Sequence, residues 1–81
     1  MSREYQILFF THTGAIRFER AMQKENIPCA LMPVPRALSS SCSVSALIRF
    51  AGSADDLIDD QIEKIFQYHD DKYILIYAAE E

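Results

Sequence analysis

The apolar residues change period repeatedly along this chain, from strand-length runs to helical spacing and back, and that order restricts what it can fold into. Tyr5-Gln6-Ile7-Leu8-Phe9-Phe10 is short and aromatic, as expected of a strand covered on at least one face. Thr11-His12-Thr13-Gly14 interrupts it, and Thr11 or Thr13 can cap a following helix by accepting a bond from its free N–H groups. From Gly14 to Glu25 the spacing is helical. Ala15, Phe18 and Met22 share one face, with Arg17, Arg20, Lys24 and Glu25 largely off it. Asn26 suits a left-handed terminator, and Pro28 cannot continue the helix.

Cys29-Ala30-Leu31-Met32 reads as a second strand, stopped by Pro33-Val34-Pro35. A polar stretch, Arg36-Ala37-Leu38-Ser39-Ser40-Ser41-Cys42-Ser43, leads to a third strand, Val44–Phe50, ended near Gly52. Ser53-Ala54-Asp55-Asp56 resembles a capping box, and Ala54, Ile58, Ile62, Ile65 and Phe66 lie at the spacing of a buried helical stripe. Asp55, Asp56, Asp59 and Asp60 then favour the positive end of that helix, with Asp70-Asp71 on a solvated surface. Lys72–Ala78 is the fourth strand expected. The order β-α-β-β-α-β predicts an α+β, ferredoxin-like two-layer sandwich: a four-stranded antiparallel sheet with both helices on one face. In that sheet the start of the third strand lies beside the end of the first, which brings Cys42, Thr11, His12, Thr13 and the start of the first helix to one edge.

With 81 residues the chain suffices for one core, so residues 1–81 are expected to form a single domain. Eight Lys+Arg against twelve Asp+Glu leave a net charge of −4, the wrong sign for tracking phosphates, so no nucleic-acid partner is expected. The third strand also lacks the basic, glycine- and aromatic-rich signature of RNA-recognition sheets. The apolar runs are too short for a membrane span and no leader pattern stands out, so the expected place is the cytoplasm, with no membrane partner. The two cysteines, Cys29 and Cys42, form neither a disulfide scaffold nor a C-x-x-C pair, and no metal or cofactor is implied.

Cys42 is the residue with the clearest chemical interest. It sits among small polar residues at a loop–strand junction, where an exposed sulfur is expected, although free cysteine is usually buried. A helix N-terminus, His12 and Arg36 nearby would each favour its thiolate and make it a nucleophile. The plainer reading is one more small residue in a serine-rich loop. His12 can relay a proton or simply bond the backbone at a strand end, and Arg36 can anchor an anion or bond loop carbonyls. Cys29, after Ile27-Pro28 and among apolar neighbours, reads as a small core residue.

The segment Met32-Pro33-Val34-Pro35-Arg36-Ala37-Leu38-Ser39-Ser40-Ser41-Cys42 resembles the signature of the selenium/sulfur-carrier-like family of small bacterial domains. Pro35-Arg36 followed at fixed distance by Ser40-Ser41-Cys42 is its most specific part, and the likeness extends over about residues 4 to 77. The resemblance implies a carrier or accessory protein rather than a stand-alone enzyme. Cys42 would be the acceptor thiol, helped by His12 and Arg36, with Thr11, Thr13, Ser40, Ser41 and Ser43 around it. It would hold sulfur or selenium as a persulfide or selenosulfide and have donor and acceptor proteins as partners. A glycine usually follows the cysteine in that family. Here it is Ser43, which matters if a positive φ is needed there.

The residues also allow a second reading: an interaction or regulatory module that docks, or forms a homodimer, through an open sheet face carrying Leu8, Leu47 and tyrosines.

Overall fold

The computed structural model describes residues 2–79. Strand β1 (Arg3–Phe9), helix α1 (His12–Lys24), β2 (Cys29–Pro33) and β3 (Val44–Phe50) form in the first half and a little beyond. A four-residue 3-10 turn (Ala54–Leu57) then leads into β4 (Ile62–His69) and β5 (Lys72–Ala78). The strands make one antiparallel sheet in the order β2-β3-β1-β4-β5. This overturns the expected ferredoxin-like sandwich, because the described residues contain one α-helix and five strands rather than two helices and four strands.

The second helix fails for a specific reason. In a regular strand, residues i and i+2 share a face. Phe9 pairs with Ile62 but Leu8 with Lys64, so Glu63 is an extra residue, a β-bulge in β4. The bulge turns Ile62 and Ile65 both inward, each wholly buried, and so imitates the i, i+3 spacing of a helix. The capping signal at Ser53 is real but short-lived. Its hydroxyl accepts from Asp55 N at 3.3 Å and starts only the 3-10 turn, which buries Leu57. Asp70 and Asp71, expected on a solvated surface, have φ of 51° and 60° and form the two-residue turn of the β4–β5 hairpin. Two consecutive positive φ values are what a type I′ turn requires.

Helix α1 is bounded by local bonds at both ends. Thr11 is its N-cap, with Oγ1 accepting from Gly14 N at 3.0 Å. At the other end Asn26 has φ 57°, Ile27 N–H donates to Met22 O at 2.9 Å and Asn26 N–H to Gln23 O at 3.1 Å. Those two bonds form a Schellman motif. The helix lays Ala15, Phe18 and Met22 onto Tyr5, Ile7, Phe9, Ala46 and Ile48 of the central strands. Phe9 meets Phe18 with ring centroids 5.3 Å apart.

Alternation along β1 puts Gln6 and Leu8 on the sheet face away from α1. Gln6 Nε2 donates to Ser45 Oγ at 2.7 Å, so this buried polar pair is satisfied. Leu8, expected on an open interaction face, is fully buried, as is Tyr5 on the helix side. Among the described residues the large apolar side chains left exposed are Ile74, Leu75 and Ile76 on β5, an edge strand. Among the described residues no helix is long and apolar enough to cross a membrane.

Candidate functional site

The antiparallel pairing of β1 with β3 sets Leu8 opposite Ser45, which brings the start of β3 to the end of β1. Between β2 and β3 the chain leaves the sheet and returns to nearly the same place. Val34 N–H donates to Ser43 O at 3.1 Å across the neck of the excursion, and Leu38 N–H to Pro35 O at 3.0 Å makes a turn within it. Cys42 stands at the returning side of that neck.

The serines ahead of Cys42 are tied to the sheet by a residue absent from the expected site. Glu63 Oε1 accepts from Ser40 Oγ at 2.7 Å and from Ser41 N at 3.0 Å, and Oε2 accepts from Ser41 Oγ at 3.0 Å. Ser40 Oγ also lies 3.2 Å from Phe9 O. A hydroxyl has one proton, and the shorter, charge-assisted bond to the carboxylate is the stronger claim on it. The same oxygen accepts from Cys42 N–H at 3.2 Å. The bulge is what aims Glu63, and Ala79 N–H, donating to Glu63 O at 2.8 Å, holds the bulged backbone from the β5 side.

Cys42 is not exposed, contrary to expectation: only 9% of its surface reaches solvent. The polar context misled because Ser40 and Ser41 bond the Glu63 carboxylate of another strand. The Cys42 backbone is drawn to Ser40, and Sγ accepts from Val44 N–H at 3.4 Å, which tucks the side chain toward the sheet. Ser43 is exposed and takes no positive φ, so glycine's special backbone freedom is not used there.

The remaining expected residues divide. His12, exposed in the first turn of α1, lines a shallow depression with Leu31, Met32, Pro33, Ser43 and Val44, and so faces the two residues that follow Cys42. Thr11 caps α1 and donates from Oγ1 to Gln61 Oε1 at 2.8 Å. Thr13 is exposed in the same turn. Arg36 is exposed in the excursion, with no hydrogen bond or ion pair to Cys42 among the described residues. Both cysteines are free, and the registers Cys29–Ile48 and Pro33–Val44 put them at opposite ends of the β2–β3 pair.

Three ionisable groups among the described residues depart from their ordinary behaviour, one of them, Tyr68, away from this site, where its hydrogen bond to Asp71 raises it. Burial, with a smaller contribution from Glu19, pushes the Cys29 thiol up to about 11. At Glu63 burial works against the charge, but the bonds from Ser40 and Ser41, with Lys64 nearby, outweigh it and hold the carboxyl below its ordinary value. A carboxylate depressed by folding adds stability above its unfolded pKa, and that stability is lost as pH falls through the folded value. Glu63→Gln should therefore lower stability by about 1 kcal/mol at neutral pH, given charged hydrogen bonds discounted for solvent. Urea titrations at neutral pH and at about pH 3 should show the gap between the two chains closing in acid. An equal gap at both pH values would mean the charge contributes nothing.

A family model described as "Putative Se/S carrier protein-like" matches residues 4–77. No curated protein and no solved structure matches the chain.

Proposed function

The chain belongs to the Se/S carrier protein-like family, and from that membership we propose that Cys42 receives a sulfur or selenium atom from a donor protein and passes it to an acceptor protein. The observation that carries this reading is the held excursion: a family-wide match whose only loop cysteine is fixed by a dedicated set of hydrogen bonds at the rim of the sheet. Cys29 is the weaker candidate, since its thiol is pushed up to about 11.

Loading balances without an external oxidant. The Cys42 thiolate attacks the outer sulfur of a donor cysteine persulfide. A new S–S bond forms at Cys42, the donor's own S–S bond breaks, and the donor leaves as a thiolate. The outer sulfur keeps its oxidation state and its proton, and the Cys42 thiol proton goes to solvent or a neighbouring base. His12, which lines a depression with Ser43 and Val44, is the candidate for that base. Reversal of the same step on an acceptor thiolate delivers the atom. For selenium the donor carries a selenosulfide and the exchange is the same. With no second cysteine in the excursion to resolve an intermediate, the chain acts as a carrier between partners rather than as a stand-alone enzyme.

The test is to mix the native chain with a protein persulfide donor and measure intact mass and peptide masses. The expected result is one added sulfur atom on the peptide containing Cys42. No adduct, or an adduct on Cys29 alone, defeats the proposal.

One observation favours a second reading, the interaction module. Ile74, Leu75 and Ile76 are 49%, 51% and 42% exposed on edge strand β5, within the palindrome Tyr73-Ile74-Leu75-Ile76-Tyr77. Antiparallel pairing of β5 with a second copy about Leu75 would set Tyr beside Tyr and Ile beside Ile, with no like charges opposed between Tyr73 and Ala79. The opposite edge, β2, is bracketed by Pro28 and Pro33, which deter such pairing. β5 has its own deterrent, a bulge at Ile76. Sedimentation at rising concentration decides: a dimer that Leu75→Lys abolishes supports this reading, and a monomer throughout removes it.

A further inference from the structure

A sulfur carrier works by meeting one protein that loads it and another that empties it, yet Cys42 is buried. The excursion that carries it meets the sheet through one side chain, Glu63, and one backbone carbonyl, that of Phe9, 3.2 Å from Ser40 Oγ. All three bonds from Ser40 and Ser41 to β4 end on the Glu63 carboxylate, at 2.7, 3.0 and 3.0 Å. The hydroxyl that Glu63 orients is also the acceptor for Cys42 N–H. Loss of the carboxylate therefore frees Ser41 and leaves Ser40 Oγ only the Phe9 carbonyl as an acceptor on the sheet, which loosens its hold on the Cys42 backbone.

Much of the excursion stands in solvent: Arg36, Ala37, Ser39, Ser41 and Ser43 are exposed, while Pro35, Leu38 and Ser40 are half-buried. The neck bond between Val34 and Ser43 is independent of Glu63 and keeps β2 and β3 joined when the serines let go. The segment from Pro35 to Cys42 can thus move as a unit while the sheet stays intact.

We infer that Glu63 is a positioning residue that latches the excursion shut over Cys42, and that releasing Ser40 and Ser41 from its carboxylate exposes the sulfur to exchange. The biological use of the latch rests on the carrier reading, but the latch itself does not. Charge-assisted bonds to a carboxylate are roughly twice as strong as neutral ones. Glu63→Gln keeps the size of the side chain, removes the charge and leaves one acceptor oxygen. Ser41→Ala removes one bond and leaves the Ser41 N–H and Ser40 bonds in place.

The experiment is the rate of alkylation of the native chain and its variants by iodoacetamide and by a bulkier maleimide, with the Cys29 and Cys42 peptides followed separately by mass. Glu63→Gln should speed Cys42 modification about fivefold, corresponding to the loss of about 1 kcal/mol of closing free energy, with a larger effect for the maleimide. Ser41→Ala should give a smaller increase, and Glu63→Asp should fall between the native chain and Glu63→Gln. Cys29 should keep its native rate throughout, because local opening leaves β2 paired. Cys42 modified at the native rate in both Glu63→Gln and Ser41→Ala, or Cys29 and Cys42 speeding up together as in global unfolding, would overturn the latch. The two ideas fail separately. A chain that never takes sulfur but opens in Glu63→Gln loses the carrier role and keeps the latch. A chain that loads on Cys42 with no response to Glu63 keeps the role and loses the latch.

Discussion

Cys42→Ser should take up no sulfur from a persulfide donor, while Cys29→Ser should load as the native chain does. The two substitutions are chemically identical, so any difference reports the surroundings of each sulfur. Cys29 lies in β2, half-buried, packed against the main core, with its thiol pushed up to about 11 by burial and by Glu19. At pH 7.5 a thiol with that value is ionised to roughly 0.03%, against about 10% for an unperturbed cysteine. Since the thiolate is the attacking species, the reactive form of Cys29 is scarcer by about two to three orders of magnitude, only partly offset by its greater intrinsic nucleophilicity. Cys42 stands at the rim, on a segment whose hold on the sheet is polar and local. Intact mass after incubation, with an excess of small-molecule thiol as the chase, distinguishes the outcomes. Loading of Cys42→Ser to the native level would remove Cys42 from the chemistry.

Phe9→Ala should cost about 3–5 kcal/mol, the usual range for emptying a buried phenylalanine site. Phe9 is wholly buried at the end of β1, between the sheet and Phe18 of α1, and pairs in register with Ile62. A domain of this length is stable by about 4–12 kcal/mol in all, so the substitution removes a large share of the total. The melting temperature should fall by about 20 °C. Leu75→Ala, at a half-exposed position on the edge strand, should move it by only a few degrees. The backbone carbonyl of Phe9, near Ser40, survives the change, so a fall in stability here does not depend on the cysteine excursion. A thermal melt of the two variants side by side makes the comparison. Equal, small shifts would mean that the α1–β1 contact is not the centre of the core.

The parts of the molecule that could be read from the residues are those where period and punctuation agree. Ala15, Phe18 and Met22 carry the helical stripe of α1, Thr11 caps it, and Asn26 ends it with a positive φ. The stretch after Gly52 could not be read in the same way, because two signals there point to a helix for reasons that have nothing to do with one. Ser53 caps a 3-10 turn, and the bulge at Glu63 gives Ile62 and Ile65 the spacing of helical neighbours while they sit in a strand. The β-branched and aromatic content of Ile62–Tyr68, followed by two turn-forming aspartates, was the competing signal.

That same misreading hid part of the site. On a helix Glu63 would be an ordinary surface carboxylate. On a bulged strand beside β1 it reaches two serines more than twenty residues away in sequence. The position of Cys42 at the end of β1 follows from the β1–β3 pairing and was legible. Its burial was not, since composition cannot show that neighbouring serines spend their hydrogen-bonding groups on a carboxylate from another strand.

The placement of β1 between β3 and β4 also bears on how the chain is made. Its partners lie at residues 45–50 and 62–68, so the most buried strand of the sheet is synthesised before either neighbour. Until both are in place Ile7, Leu8 and Phe9 form an unpaired apolar ribbon. Assembly dominated by such distant pairings is slow for the length of the chain. An exposed apolar ribbon of that kind is where a partly folded chain is most prone to aggregate.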